Sequence, residues 1–157
     1  MDPVSRLATT RTVLGQVLVC VGCCCGRPDK GKPSVPVDRL KTEWKQRKLL
    51  RRVHLTISGC LGPCDLVNVV CIVTPAGVTW LGGLACDEEY EALLEWATRS
   101  AEQGHLLPLP ARLAVQSFES PILPAEGRAC GETPPPPSKR RDTGRPRAQW
   151  PRFAEKS

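Results

Sequence analysis

The sequence predicts a mixed α/β domain, and three observations predict it. Apolar runs of strand length alternate with segments of helical period along residues 15–104. The first two runs are separated by a helical stretch, which demands a parallel pair. The last two are separated only by Thr74-Pro75-Ala76-Gly77, which demands a hairpin. Finally, a cysteine-rich loop follows each of the first two runs, at the carboxyl end of a strand, where open α/β sheets place their sites.

Residues 1–14 are polar and without period, and read as a loose leader. Val17-Leu18-Val19-Cys20-Val21 is continuously apolar and ends at Gly22, as a buried central strand should. A loop with Arg27, Pro28, Lys30, Lys32 and Pro33 leads to Pro36, which suits the first turn of a helix because its missing N–H costs nothing there. Val37, Leu40 and Trp44 share one face of that helix, and Lys45, Arg47 and Lys48 favour the negative end of its dipole. Val53, Leu55 and Ile57 then alternate with Arg52, His54 and Thr56, the pattern of a half-buried strand.

Residues 67–73 are almost wholly apolar and read as a third strand, with residues 78–81 pairing back as a fourth. Asp87, Glu88 and Glu89 load the start of a second helix with the charge its dipole prefers. Tyr90, Leu93, Leu94, Ala97 and Ala101 line one face of it, and Gly104 is its natural stop. Residues 106–110 read as an apolar cover for the sheet edge. A right-handed parallel crossover plus a hairpin is satisfied by a four-stranded mixed sheet in order 2-1-3-4 with two main helices, the thioredoxin-like core. About 90 residues bury only a modest core, so a bound metal group would add stability.

The 157 residues fit one domain with extensions, here residues 15–120. From residue 121 onward the composition changes: 8 of the 16 prolines lie there, Pro134 to Pro137 consecutively, followed by Lys139, Arg140 and Arg141. Residues 121–157 carry 8 Lys/Arg against 4 Asp/Glu, so +4 of the net +6 sits in this segment. It reads as a disordered, basic, Pro-rich tail, with its proline run a preformed ligand for a partner as the alternative role. The near balance of the remainder argues against nucleic acid as a partner of the fold. No apolar stretch reaches the length of a membrane span. Residues 13–25 imitate a secretory signal, but Gly15 and Gln16 interrupt the run and no small-x-small cleavage site follows. A reducing cytoplasm is expected, with the thiols committed to metal.

The cysteines carry the chemistry. Four residues separate Cys20 from Cys25 and three separate Cys60 from Cys64; the 34 residues between the pairs make about one helix and one strand. Loops at the same end of a parallel pair would bring these four sulfurs together. Thiolate sets suit iron–sulfur clusters and zinc. The pattern Cys-x4-Cys, a helix and a strand, then Cys-x3-Cys, with Cys60-Leu61-Gly62-Pro63-Cys64 before an apolar strand, resembles the thioredoxin-like 2Fe–2S ferredoxins. Their relatives include the small thioredoxin-like subunit of the NADH-dehydrogenase electron-input module. The Cys23-Cys24-Cys25-Gly26-Arg27 run is also similar to small bacterial ferredoxin-like proteins sometimes linked to cobalt insertion in cobalamin synthesis. The resemblance covers residues 17–104. It implies a 2Fe–2S cluster on Cys20, Cys25, Cys60 and Cys64, with Cys24 as the alternative to Cys25.

Cys71 reads as a small buried hydrophobe within a strand and Cys86 as the same before a helix; Cys130 lies in the tail without a role. His54 and His105 read as surface histidines, and Trp80 as core. Arg27, Lys30 and Lys32 suit either an acidic partner or an ordinary solvated loop. No catalytic triad, phosphate-cradling loop or carboxylate pair is present, so no enzyme is expected. The expected function is one-electron transfer to redox partner proteins, with a homodimer left open. The alternatives are a zinc-binding structural or metal-handling module on the same Cys20, Cys25, Cys60 and Cys64, and a thiol–disulfide oxidoreductase using Cys20 and Cys23.

Overall fold

The structure is a computed structural model that describes residues 9–122. Most of the leader, the tail beyond residue 122 and Cys130 lie outside the described residues. The chain runs β1 (Gly15–Cys20), α1 (Val37–Gln46), β2 (Val53–Ser58), β3 (Val70–Thr74), β4 (Gly77–Leu81), α2 (Asp87–Gln103), α3 (Ala111–Ala114) and β5 (Ser117–Phe118), with 3-10 turns at Pro28–Lys30 and Leu49–Arg51. The sheet order is β2-β1-β3-β4-β5. β1 and β2 are parallel, in register from Gly15 with Val53 to Cys20 with Ser58. The pairs β1/β3, β3/β4 and β4/β5 are antiparallel.

The sheet therefore has five strands rather than four, and a short third helix accompanies the two main ones. β5 is two residues long, with Phe118 opposite Trp80, too short for alternation to reveal it. The third strand begins at Val70 rather than residue 67, because Asn68 adopts a left-handed backbone (φ 52°) that no strand accommodates. Helix α1 ends at Gln46. Arg47 is its C-cap and Lys48 turns left-handed (φ 55°), so of the three expected basic residues only Lys45 closes the last turn.

The alternation of β1 sets two layers. Val17 and Val19 face the helices and pack with Leu40 and Trp44 of α1 and Tyr90, Leu93, Leu94 and Ala97 of α2. Leu18 and Cys20 face the other side, beside Cys25, Val69, Cys71, Trp80 and Phe118. Trp44 is fully buried and its indole donates to the Val53 carbonyl at 2.7 Å, while Trp96 donates to Leu107 at 2.7 Å and so pins the apolar cover at residues 106–110. Arg39 of α1 and Arg47 at its C-cap both engage Glu91 of α2.

Helix α2 starts on a capping box. The Glu89 carboxylate accepts from the Ala85 N–H at 2.6 Å and the Cys86 N–H at 3.0 Å, and the Gln116 amide donates to its other oxygen. Burial alone would raise the pKa of Glu89, but these donors outweigh it and hold the group below its ordinary 4.5. A depressed carboxylate contributes stability above its unfolded value and loses it as pH falls through the folded one. Glu89→Gln is expected to cost about 1 kcal/mol at neutral pH. Urea midpoints should show this gap narrowing as pH falls below 4.5; an equal gap at both pH values would remove the carboxylate from the cap.

Candidate metal centre

Two loops and one strand entry build the centre. β1 delivers Cys20, whose N–H donates to the Val69 carbonyl at 3.0 Å, and the Val21 N–H donates to the Ser58 carbonyl at 3.0 Å. The first loop is thereby joined to both neighbours of β1. Gly22 follows at φ 120°, a backbone that side chains resist, and its N–H donates to the Cys25 carbonyl at 3.0 Å. This closes a tight loop in which Cys23 is exposed, Cys24 is half-buried and Cys25 is buried. Two cations brace the loop: Arg27 donates to the Gly22 carbonyl at 2.9 Å while paired with Asp29, and Lys30 donates to the Cys23 carbonyl at 2.7 Å. Arg27 and Lys30 thus act on the cysteine loop itself.

The second loop leaves β2 at Ser58. Gly62 sits at φ 118° between the two cysteines, and the Cys64 N–H folds back to its carbonyl at 2.8 Å. The Cys60 and Cys64 sulfurs come to 3.1 Å. Because β1 and β2 are parallel and in register, both loops emerge at the same sheet end. Cys20, Cys23, Cys24, Cys25, Cys60 and Cys64 line one small pocket with Gly62, Pro63 and Val69. Within it, the Sγ atoms of Cys23, Cys24 and Cys64 lie within 4.8 Å of one another. Every cysteine of the described residues is a free thiol.

The sulfurs differ in environment. Burial pushes the Cys20 thiol up to about 11, opposed by the Leu61 N–H and reinforced by its contact with Cys25. Cys60 is held low by the Cys64 thiol and by the Gly62 N–H. Cys64, which supplies that proton, is pushed up to about 12. The Val69 N–H points at the Cys25 sulfur at 3.5 Å. Main-chain donors thus already face Cys20, Cys25 and Cys60, an arrangement that stabilises negative sulfur.

The four cysteines expected as ligands all line the pocket, but the tightest trio contains Cys23 and Cys24, which the x4 spacing passes over. Cys71 is buried in β3 as expected. Cys86 is not a buried hydrophobe: it is exposed and forms the N-cap of α2, where its side chain receives the Glu89 N–H. His54 and His105 are exposed, and Trp80 is buried.

Asn68 is the residue that sequence reasoning missed. It is 1% exposed; its Oδ1 accepts from the Gly26 N–H at 2.8 Å, and its Nδ2 donates to the carbonyls of Pro33 at 3.1 Å and Leu84 at 2.7 Å. One side chain thus ties the first cysteine loop to the entry of β3 and the approach to α2. The available signal was a lone asparagine inside an apolar run.

Among the described residues, no helix is long and apolar enough to cross a membrane. No protein-family model matches the sequence, and no curated protein does. Among solved structures, the chain is similar to the thioredoxin-like [2Fe-2S] ferredoxin from Aquifex aeolicus, at 19% identity and a TM-score of 0.38, over 69% of this chain and 100% of that one.

Proposed function

We propose that this chain is a thioredoxin-like 2Fe–2S protein that passes single electrons to protein partners in a reducing compartment. The observation that carries this reading is the single pocket lined by six unoxidised thiols from two loops, with main-chain N–H groups facing three of the sulfurs. The donor set fits the group: thiolates are the ligands such clusters take, and N–H donors offset the charge they accumulate. Cys20, Cys25, Cys60 and Cys64 would hold it. When bound, the cluster supplies reversible one-electron chemistry. The chain's own residues hold the thiols at one sheet end, keep Cys20 and Cys25 from water and leave Cys60 at the surface, where a partner can approach.

A second reading has its own support. The Cys23, Cys24 and Cys64 trio suits a single zinc ion, whose ligands surround one centre at about 2.3 Å. Protein purified without oxygen separates the readings. A 2Fe–2S protein is coloured, with visible absorption bleached by dithionite and equal iron and acid-labile sulfide. Colourless protein with stoichiometric zinc would replace the electron carrier with a metal-handling module. Dithiol activity in metal-free protein would favour the oxidoreductase instead.

A further inference from the structure

β2 is an edge strand, and its open side is shaped to take another. The Leu14 N–H donates to Arg52 O at 2.7 Å and the Val21 N–H to Ser58 O at 3.0 Å, so the even-numbered residues of β2 turn their main chain towards β1. Successive residues alternate. Val53 accordingly faces outward, and its carbonyl is covered by the Trp44 indole at 2.7 Å. Leu55 and Ile57 face outward too, with no bond to another element of the described residues. Beside them runs a groove of about 560 Å³, walled by Trp44, Leu50, Lys41 and Lys45.

The rim of this groove has one sign. Its cations, Lys41 and Lys45, are exposed and form no ion pair among the described residues, and the same holds for Lys48 and Arg51 farther along the chain. The exposed carboxylate on the same stretch is Asp38, while Glu43 is held by Arg47 at 2.9 Å. On the other side of the strand, Arg11, Arg51 and His54 line a second groove.

We propose that the β2 edge docks an extended acidic segment of a partner protein by strand addition. Main-chain bonds at Leu55 and Ile57 would supply affinity, and the cationic rim would select the sequence. A second copy of the chain fits poorly, since pairing two β2 edges sets like charges against each other. Residues 121–157 carry a net +4 and fit no better. Lysines beside an edge also discourage aggregation, a role that predicts no ligand. The strand leads directly to the metal pocket, with Ile57 only about 10 Å of extended chain from Cys60. That the partner exchanges electrons rests on the function proposed above; the docking does not.

The test uses the full chain and an eight-residue peptide of alternating valine and glutamate, with amide hydrogen exchange read residue by residue. Saturating peptide is expected to slow exchange at Leu55 and Ile57 by at least about tenfold, as new main-chain bonds must open first. Lysine in place of glutamate should abolish binding, and so should N-methylation of alternate peptide amides. Lys41→Glu with Lys45→Glu, both exposed, should weaken binding about tenfold. The proposal is overturned if protection appears only in residues 124–157 or nowhere, if the N-methylated peptide binds equally, or if concentration alone protects Leu55 and Ile57, which would make the occupant a second copy. Iron measured on the same samples reports separately on the metal reading.

Discussion

Cys60→Ser is expected to reduce iron and acid-labile sulfide to background. Cys60 is an exposed cysteine of the pocket, and the Cys64 thiol and Gly62 N–H already favour its thiolate. A serine hydroxyl stays protonated at neutral pH and is a hard donor, poorly matched to a sulfur-rich cluster. Cys20→Ser should do the same, because Cys20 is fixed between Val69 and Leu61 and no other sulfur of the described residues shares its strand. Cys71→Ala is the control. It removes a buried sulfur outside the pocket, so it should cost about 1 kcal/mol of packing and leave the metal untouched. Full metal content in Cys60→Ser would sink the centre. Loss in Cys23→Ala together with retention in Cys25→Ala would move the fourth ligand into the trio of Cys23, Cys24 and Cys64.

Asn68→Ala is expected to destabilise the domain by about 3 kcal/mol, or roughly 15 °C in Tm. Three main-chain groups lose their partner at once: the Gly26 N–H and the carbonyls of Pro33 and Leu84. Alanine also resists the left-handed backbone that asparagine tolerates at this position. Asn68→Asp separates the roles. It keeps an acceptor for Gly26 but loses both donated bonds and buries a charge, so it should fall at least as far. Urea unfolding measures both variants; a loss under about 1 kcal/mol in Asn68→Ala would mean that water replaces the side chain.

Much of this architecture was legible because its signals are local. The Val17 run, the alternation of Val53, Leu55 and Ile57, the Pro75–Gly77 turn and the acidic start of α2 each specify an element without knowledge of the others. The convergence of two cysteine loops followed from one topological constraint, that strands joined through a helix run parallel. What stayed hidden depends on distant contacts. β5 exists because Phe118 reaches Trp80, with ring centroids 6.0 Å apart. Asn68 delays the start of the third strand because Gly26, Pro33 and Leu84 together demand its amide. The hold of Arg27 and Lys30 on the carbonyls of the first cysteine loop is likewise a contact that spacing cannot express.

The 3.1 Å approach of the Cys60 and Cys64 sulfurs leaves the pair open to oxidation. Folding alone brings them together, one favouring the thiolate and the other carrying the proton. That is the arrangement in which a peroxide oxidises the first sulfur to a sulfenic acid and the second displaces water to form a disulfide. Oxidation of the metal-free protein would join Cys60 to Cys64 across the pocket, and a thiol reductant would have to reopen it. Under the function proposed above, metal would have to arrive before oxygen species do, or together with a reductant that resets the pair.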